Sequence, residues 1–280
     1  MYVVNNSDSP VTVNNEEGKL RLWRNTSLTS LVPGTSAELA PHTVGYESNE
    51  DIDNGFRPQG LIQLSTTVAA TPEYLIDHGN TVVPGVTHHH VTLYRAPSGA
   101  LVFSSGSVQW SWGLEHPEDG SAVPDSRMQQ AEVNLLADMG AQPSTLMPGL
   151  VVATASSDRT PPVTTITAPA ANTSVANGDT VTLTGTASDA SGMVAGVEVS
   201  TDGGKTWHLA QGRANWSYSY IQTGLGQVSV LARAIDDSAN YSATGVARSF
   251  DVTGPASVFG TETPQLTSSP DVSAVELGLR

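Results

Sequence analysis

The segment GVEVSTDGGKTWHLA, residues 196–210, decides the fold of the second half of the chain. Val197 and Val199 alternate with Gly196, Glu198 and Ser200, the period-2 pattern of a strand with one apolar face. Asp202-Gly203-Gly204-Lys205 then reverses the chain, because glycine supplies the positive φ that tight turns need. Trp207 and Leu209 resume the alternation on the return strand. The pattern continues on both sides. Val181 and Leu183 alternate with threonines. Trp216, Tyr218 and Tyr220 share one strand face, and Val228, Val230, Ala232 and Ala234 share another. The spacing predicts about seven strands over about ninety residues, the size of a two-sheet sandwich. Cysteine is absent, so its core must rest on Trp207, Trp216 and the alternating aliphatic residues.

Composition narrows the class of protein. The 280 residues carry 12 Lys+Arg against 27 Asp+Glu, a formal charge of −15. That surface repels phosphate backbones and anionic lipid, which excludes nucleic acid as a partner and favours solubility or capture of a divalent cation. Without cysteine there is no disulfide, zinc–thiolate site or cysteine nucleophile. No apolar run is long enough to span a membrane. The start, MYVVNNSDSPV, lacks the basic and apolar regions of a signal peptide and reads as an unpaired strand entering a domain. Both ends read as those of a fragment.

Upstream of the sandwich, residues 1–146 mix strands and helix. Strand-like runs occur at Leu20–Arg24, Gly60–Ser65, His90–Arg95 and Leu101–Ser105. In ALVFSSGSVQWSWGLEH, residues 100–116, strict alternation predicts a strand. Val108, Trp110, Trp112 and Leu114 would be buried, with Ser107, Gln109, Ser111, Gly113 and Glu115 facing a cleft or solvent. One helix is expected between Asp125 or Ser126 and Gly140, with Gln129 closing a capping box. Its buried stripe is Met128, Ala131, Leu135 and Met139. Residues 147–160 read as a linker, 161–254 as the sandwich, and 255–280 as the cut-off start of a third β domain. The sandwich has polar, proline-marked boundaries and should fold alone.

Four segments carry a resemblance: LRLWRNT (20–26), GYESNEDIDNGFRPQGLIQLS (45–65), THHHVTLYRAPSGALVFSSGSVQWSWGLEH (87–116) and MQQAEVNLLADMGAQPSTL (128–146). Together they resemble the C-terminal part of the N,N-dimethylformamidase large-subunit family. The resemblance implies a partial, amidotransferase-like α/β domain and, in the complete parent, an iron held by two tyrosines and a glutamate. PPVTTITAP (161–169), GVEVSTDGGKTWHLA and LARAIDDSANYS (231–242) resemble a bacterial Ig-like module. The Asp-Gly-Gly-x-Thr-Trp hairpin is also similar to the dimerisation domain of sulfite-oxidase-type enzymes. The fold class expected is therefore multidomain, a partial α/β domain followed by an all-β immunoglobulin-like sandwich.

Candidate chemistry is sparse. Glu47, in Gly45-Tyr46-Glu47, is the expected catalytic carboxylate and a hard oxygen ligand suited to iron. Amidotransferases place a His-x-Glu here, and Gly45 stands where that histidine would be. In extended geometry His88 and His90 point to one side and could join Glu47 on a metal. Asp51-x-Asp53-x-Gly55 is half of a calcium loop and lacks the distal glutamate, position 62 being Ile62. Glu115 and His116 point to opposite faces of a strand and do not form an acid–base pair. Asp189 on one loop, with Asp236, Asp237 and Asn240 on another, emerge at one end of the sandwich, where they could hold calcium. Trp207, Trp216, Tyr218 and Tyr220 read as core rather than a sugar platform.

The resemblances lead to one reading and one competitor. The first is a fragment of a large, exported bacterial hydrolase acting on a carbon–nitrogen bond, itself inactive, with the Ig-like module as spacer or interaction domain. Its partners would be the other domains of the parent, a second protein, or a second copy bound through that module. The competitor is a non-catalytic surface or adhesion protein that uses the module on proteins or carbohydrate.

Overall fold

The computed structural model describes residues 2–3, 9–45, 47–115 and 123–256. The third β domain expected over 255–280 falls outside the described residues from position 257 onward, as does His116. Among the described residues the first region has nine strands. They are β1 (Tyr2–Val3), β2 (Thr12–Asn14), β3 (Ser36–Glu38), β4 (Ser48–Asn49), β5 (Ile62–Gln63), β6 (Thr67–Ile76), β7 (Thr81–His89), β8 (Thr92–Arg95) and β9 (Leu101–Ser104). Helix α1 spans Asn15–Gly18 and α2 spans Ser126–Asp138. The sheets are β4-β1-β6-β7, β2-β3 and β5-β8-β9, and every pair is antiparallel. The region is strand-rich with little helix. Parallel strands need crossovers of about a dozen residues or more, and β6 and β7 are separated only by residues 77–80. β1 is not an unpaired entry strand. It lies inside its sheet, with Tyr2 opposite both Asn49 and Leu75.

Two sequence-predicted strands are tight helical turns. In Leu20–Arg24 a 3-10 turn at Arg21–Trp23 follows α1, which a capping box holds: Asn14 Oδ1 accepts from Glu17 N at 2.9 Å, and Glu17 Oε2 accepts from Asn14 N at 2.8 Å. The turn buries Leu22 and Trp23, and the Trp23 indole donates to Leu64 O at 2.8 Å. The second is Val108–Gly113, also 3-10. Gly106, at φ +64°, breaks the chain after β9, and Ser107 caps the new turn through Gln109 N. A period of three replaces a period of two. Trp110 and Gly113 turn inward together with Gln109, while Val108 is 56% exposed. Gly113 leaves room for the Met128 thioether on α2, which a Cβ there would meet.

α2 forms where its stripe places it, burying Met128, Ala131 and Leu135. Asp125 caps it by accepting from Arg127 N at 2.8 Å. Gln129 closes no box, because its amide donates to Leu114 O instead. Met139 is the C-cap residue and is exposed. Residues 147–160 lie against α2. Gln130 bonds both the N–H and the carbonyl of Val151, and Ala153 is buried on Val133 and Ala137.

The second region is a sandwich of nine strands: β10 (Val163–Ala168), β11 (Ser174–Ala176), β12 (Thr180–Ser188), β13 (Val194–Ser200), β14 (His208–Leu209), β15 (Gln211–Gly212), β16 (Asn215–Ile221), β17 (Gly226–Asp236) and β18 (Val246–Thr253). One sheet is β10-β12-β16-β15 and the other is β11-β18-β17-β13-β14. Leu183, Val197, Val199, Trp216, Ala232 and Phe250 fill the space between them. The β13–β14 hairpin turns on Asp202, whose carboxylate accepts from Lys205 N and Thr206 N, with Gly203 and Gly204 at positive φ. Some burial opposes ionisation of Asp202, but these bonds hold its carboxyl down at about 2.

The two regions share a core. Ala195, Ile235 and Ala239 of the sandwich pack in the same cluster as Val11, Trp23, Ile62 and Trp110, with Tyr241 at its margin. All seven residues of β13 are buried. Trp207 leaves the sandwich interior and stacks on Arg233 at this junction.

Candidate functional site

A buried polar constellation lies where the two regions meet. Glu198 on β13 and Arg233 on β17 are directly opposed in register, on the face that turns away from the sandwich core. Both side chains are 1% exposed. Glu198 Oε2 accepts from Arg233 Nη2 at 2.7 Å and from Nε at 2.9 Å. The first region completes the pair: Gly60 N donates to Glu198 Oε1 at 2.9 Å, and Arg233 Nη2 reaches Gln59 Oε1 at 3.3 Å. The guanidinium lies between Trp207 and Tyr241, 3.8 Å and 4.4 Å from their ring centroids. Gly60, at φ +72°, leaves room for the Tyr241 ring, which a Cβ would meet at 2.5 Å. Further bonds ring this centre. His208 Nδ1 lies 2.6 Å from Asp53 Oδ2, Arg95 donates to Ser238 O, and Arg213 donates to Gln63 O. This arrangement binds one region to the other and carries no nucleophile.

The first region's candidate residues are dispersed. Glu47 sits on a bend at φ +64° and is exposed. His88 is exposed on β7, and its backbone N–H donates to Glu50 Oε1. β7 ends at His89, and His90 lies just beyond it. His90 Nδ1 is 2.6 Å from Asp51 Oδ1, and Gln63 and Arg57 face the other oxygen of Asp51. Burial opposes ionisation of Asp51, yet the bond and charge of His90 hold its carboxyl below the usual range. His89, not predicted as special, is fully buried and donates from Nε2 to Ser105 O; burial lowers its pKa to about 4, while that bond works in the opposite direction. Asp51 and Asp53 pair with histidines rather than forming a calcium loop. Glu50 and Asp51, not Glu47, are thus the carboxylates beside the histidine run.

Glu47, His88 and His90 do not come together as metal ligands. Among the described residues one group of three acidic or imidazole ligands converges, and it is Asp158, Asp189 and Asp236. Tyr74 reaches the acidic stretch, where its hydroxyl donates to Glu50 at 2.9 Å, and burial followed by that contact pushes it up to about 12.

The Asp group lies at the end of the sandwich nearest residues 147–160. Asp236 is fully buried and accepts from Ser238 N, Asn240 N and the Asn240 amide, all at 2.8 Å. Asp189 Oδ1 accepts from Ser191 N and Gly192 N. Asp158, which the loop argument missed because it lies before the sandwich, uses Oδ1 to accept from Thr160 N. Asp237 is turned partly away, accepting from Arg21 N at 3.0 Å and from Met193 N at 3.4 Å. Trp216 is buried in the sandwich, and the half-buried Tyr218 and Tyr220 pack against its core and stack on one another, with His208 on Tyr218.

Residues 1–125 match the family described as N,N-dimethylformamidase beta subunit-like, C-terminal. The formamidase-like region therefore contains the whole of the first region's strand set and stops one residue before α2. Residues 162–244 match the bacterial Ig domain family, which makes the sandwich an Ig-like module. No curated protein matches the chain. Among solved structures, the Clostridium thermocellum CbhA fibronectin(III)-like modules are 22% identical over 32% of this chain and 93% of theirs, with a TM-score of 0.27. Domains 4 and 5 of the S-layer protein SbsC are 13% identical over 91% of this chain and 100% of theirs, with a TM-score of 0.24.

Proposed function

We propose that the chain serves an exported, amidase-like hydrolase of carbon–nitrogen bonds as its supporting part, with the Ig-like module fixed as a buttress on the formamidase-like region. The observation that carries this reading is the Glu198–Arg233 pair, buried in the module and completed by Gln59 and Gly60 of the formamidase-like region. A free spacer keeps its outer sheet face wet, and a charged pair there would remain hydrated. Here its desolvation is offset only because the other region supplies the missing bonds. The amidotransferase-like ancestry of the first region belongs to the same proposal and is supported by the family match alone. The chain lacks cysteine, and Glu47 has no converging metal partners among the described residues, so support rather than chemistry is the role assigned to these residues.

The test is an assay of the purified 280-residue chain on N,N-dimethylformamide with and without added iron. No turnover above the buffer rate is expected. Measurable, saturable hydrolysis would overturn the supporting role.

A further inference from the structure

We propose that Asp158, Asp189 and Asp236 form a calcium site that fastens the segment before the sandwich to two loops of the Ig-like module. Their carboxylate oxygens lie within 4.8 Å of one another. Two oxygens that share one calcium at about 2.3–2.6 Å can be no more than about 5 Å apart, and each pair among the three meets that limit. The donors are all oxygen, with no sulfur or imidazole, which selects a hard cation over zinc or copper.

The convergence alone would be an acidic cluster of the kind common on surfaces. A second observation points to a ligand. Asp158 Oδ2 is shielded from solvent and has no hydrogen-bond partner. It is directed at the cradle over Gly192, where a Cβ would lie 2.8 Å from Asp237 Oδ1, 3.4 Å from Asp158 Oδ2 and 3.6 Å from Asp189 Oδ1. A shielded, unpaired carboxylate oxygen facing other carboxylates is costly unless a proton or a cation stands between them. The basic side chains nearby do not neutralise it. Arg21 and Arg24 pair with Asp138, and Arg159 donates to the backbone carbonyls of Ser156 and Asp158.

The three ligands come from three places in the chain: the segment preceding β10, the β12–β13 loop and the end of β17. The Asn240 amide also approaches the Asp158 carbonyl at 3.4 Å. A bound cation would therefore fix the approach of residues 147–160 to the module. This does not rest on the hydrolase reading and stands or falls separately.

The test uses the whole chain after dialysis against a chelator, titrated with calcium chloride or magnesium chloride by calorimetry and followed by thermal unfolding. One calcium per chain is expected, with a dissociation constant of about 0.1–1 mM or tighter, the range of extracellular modules. A rise of several degrees in Tm is expected with it, and little response to magnesium. Asp158→Asn should remain folded by circular dichroism and weaken calcium binding about tenfold or more, as expected of a lost charged ligand. Should that variant fail to fold, Asp189→Asn, on a more open loop, makes the same prediction. Absence of heat and of any Tm shift at about 10 mM calcium, well above that range, would overturn the site. So would Asp158→Asn titrating like the parent.

Discussion

The two sheets of the Ig-like module have the same alternation and opposite surroundings. On β12, Val181, Leu183 and Ala187 face the core while Thr180, Thr182 and Thr186 face water. Their hydroxyls pair across strands, Thr165 with Thr186, Thr167 with Thr184 and Thr182 with Ser219. On β13, Val197 and Val199 face the core in the same way, but Gly196, Glu198 and Ser200 are buried as well. The polar member of an alternating strand tells which face leaves the core and not whether that face is wet. What separates the two sheets is a second region of the same chain, whose loop at Gln59 and Gly60 supplies bonds that water would otherwise make.

The largest contrast between the sheets should come from breaking the buried pair. Arg233→Ala leaves Glu198 charged and enclosed, and should lower the unfolding free energy by about 3–5 kcal/mol in urea denaturation. Thr182→Ala on the wet sheet should change it by less than about 0.5 kcal/mol. Equal effects would mean that the Glu198 face is solvated. Smaller, but on the same axis, is the close approach of the two regions. Gly60→Ala forces both a positive φ and a clash with the Tyr241 ring, and should cost about 2–4 kcal/mol. Gly34→Ala, also at positive φ but with nothing within 4 Å, should cost about 1–2 kcal/mol. A third measurement sharpens the comparison by pH. His89 is buried neutral, with a pKa lowered from 6.5 to about 4. The unfolded chain therefore takes up its proton first, and stability falls as pH drops from about 6.5 to about 4, by up to about 3 kcal/mol. Asp237 acts in the opposite sense. Burial raises its carboxyl to about 6, so it favours folding at low pH and loses that contribution as pH rises from 3.8 to about 6. His89→Gln should remove the acid-side fall and leave the Asp237 trend, a change visible in Tm between pH 4 and 7.

The parts legible from sequence were those that local chemistry specifies. The turn at Asp202–Lys205 and the helix at Ser126–Asp138 needed only glycine, a cap and a period. Val108–Gly113 was misread because Trp110 and Trp112 fit a period of two, while the buried set, Gln109, Trp110 and Gly113, is set by a turn that packs under Met128. The Asp189 and Asp236 loops meet because a sandwich brings those loops to one end. Asp158 was invisible to that argument, since its place depends on how residues 147–160 lie on α2. Glu198 and Arg233 are 35 positions apart, and nothing in either strand announces that the face they share will be covered. For the same reason the polar boundaries of the module do not announce that its outer face is buried against the first region.

Differential scanning calorimetry of the whole chain beside the isolated module, residues 161–254, tests the docking most directly. If the module is held on the formamidase-like region through a common core, the whole chain should show one cooperative transition for both regions, and the isolated module should melt at a lower temperature. Two separate transitions in the whole chain, one of them at the Tm of the isolated module, would contradict it.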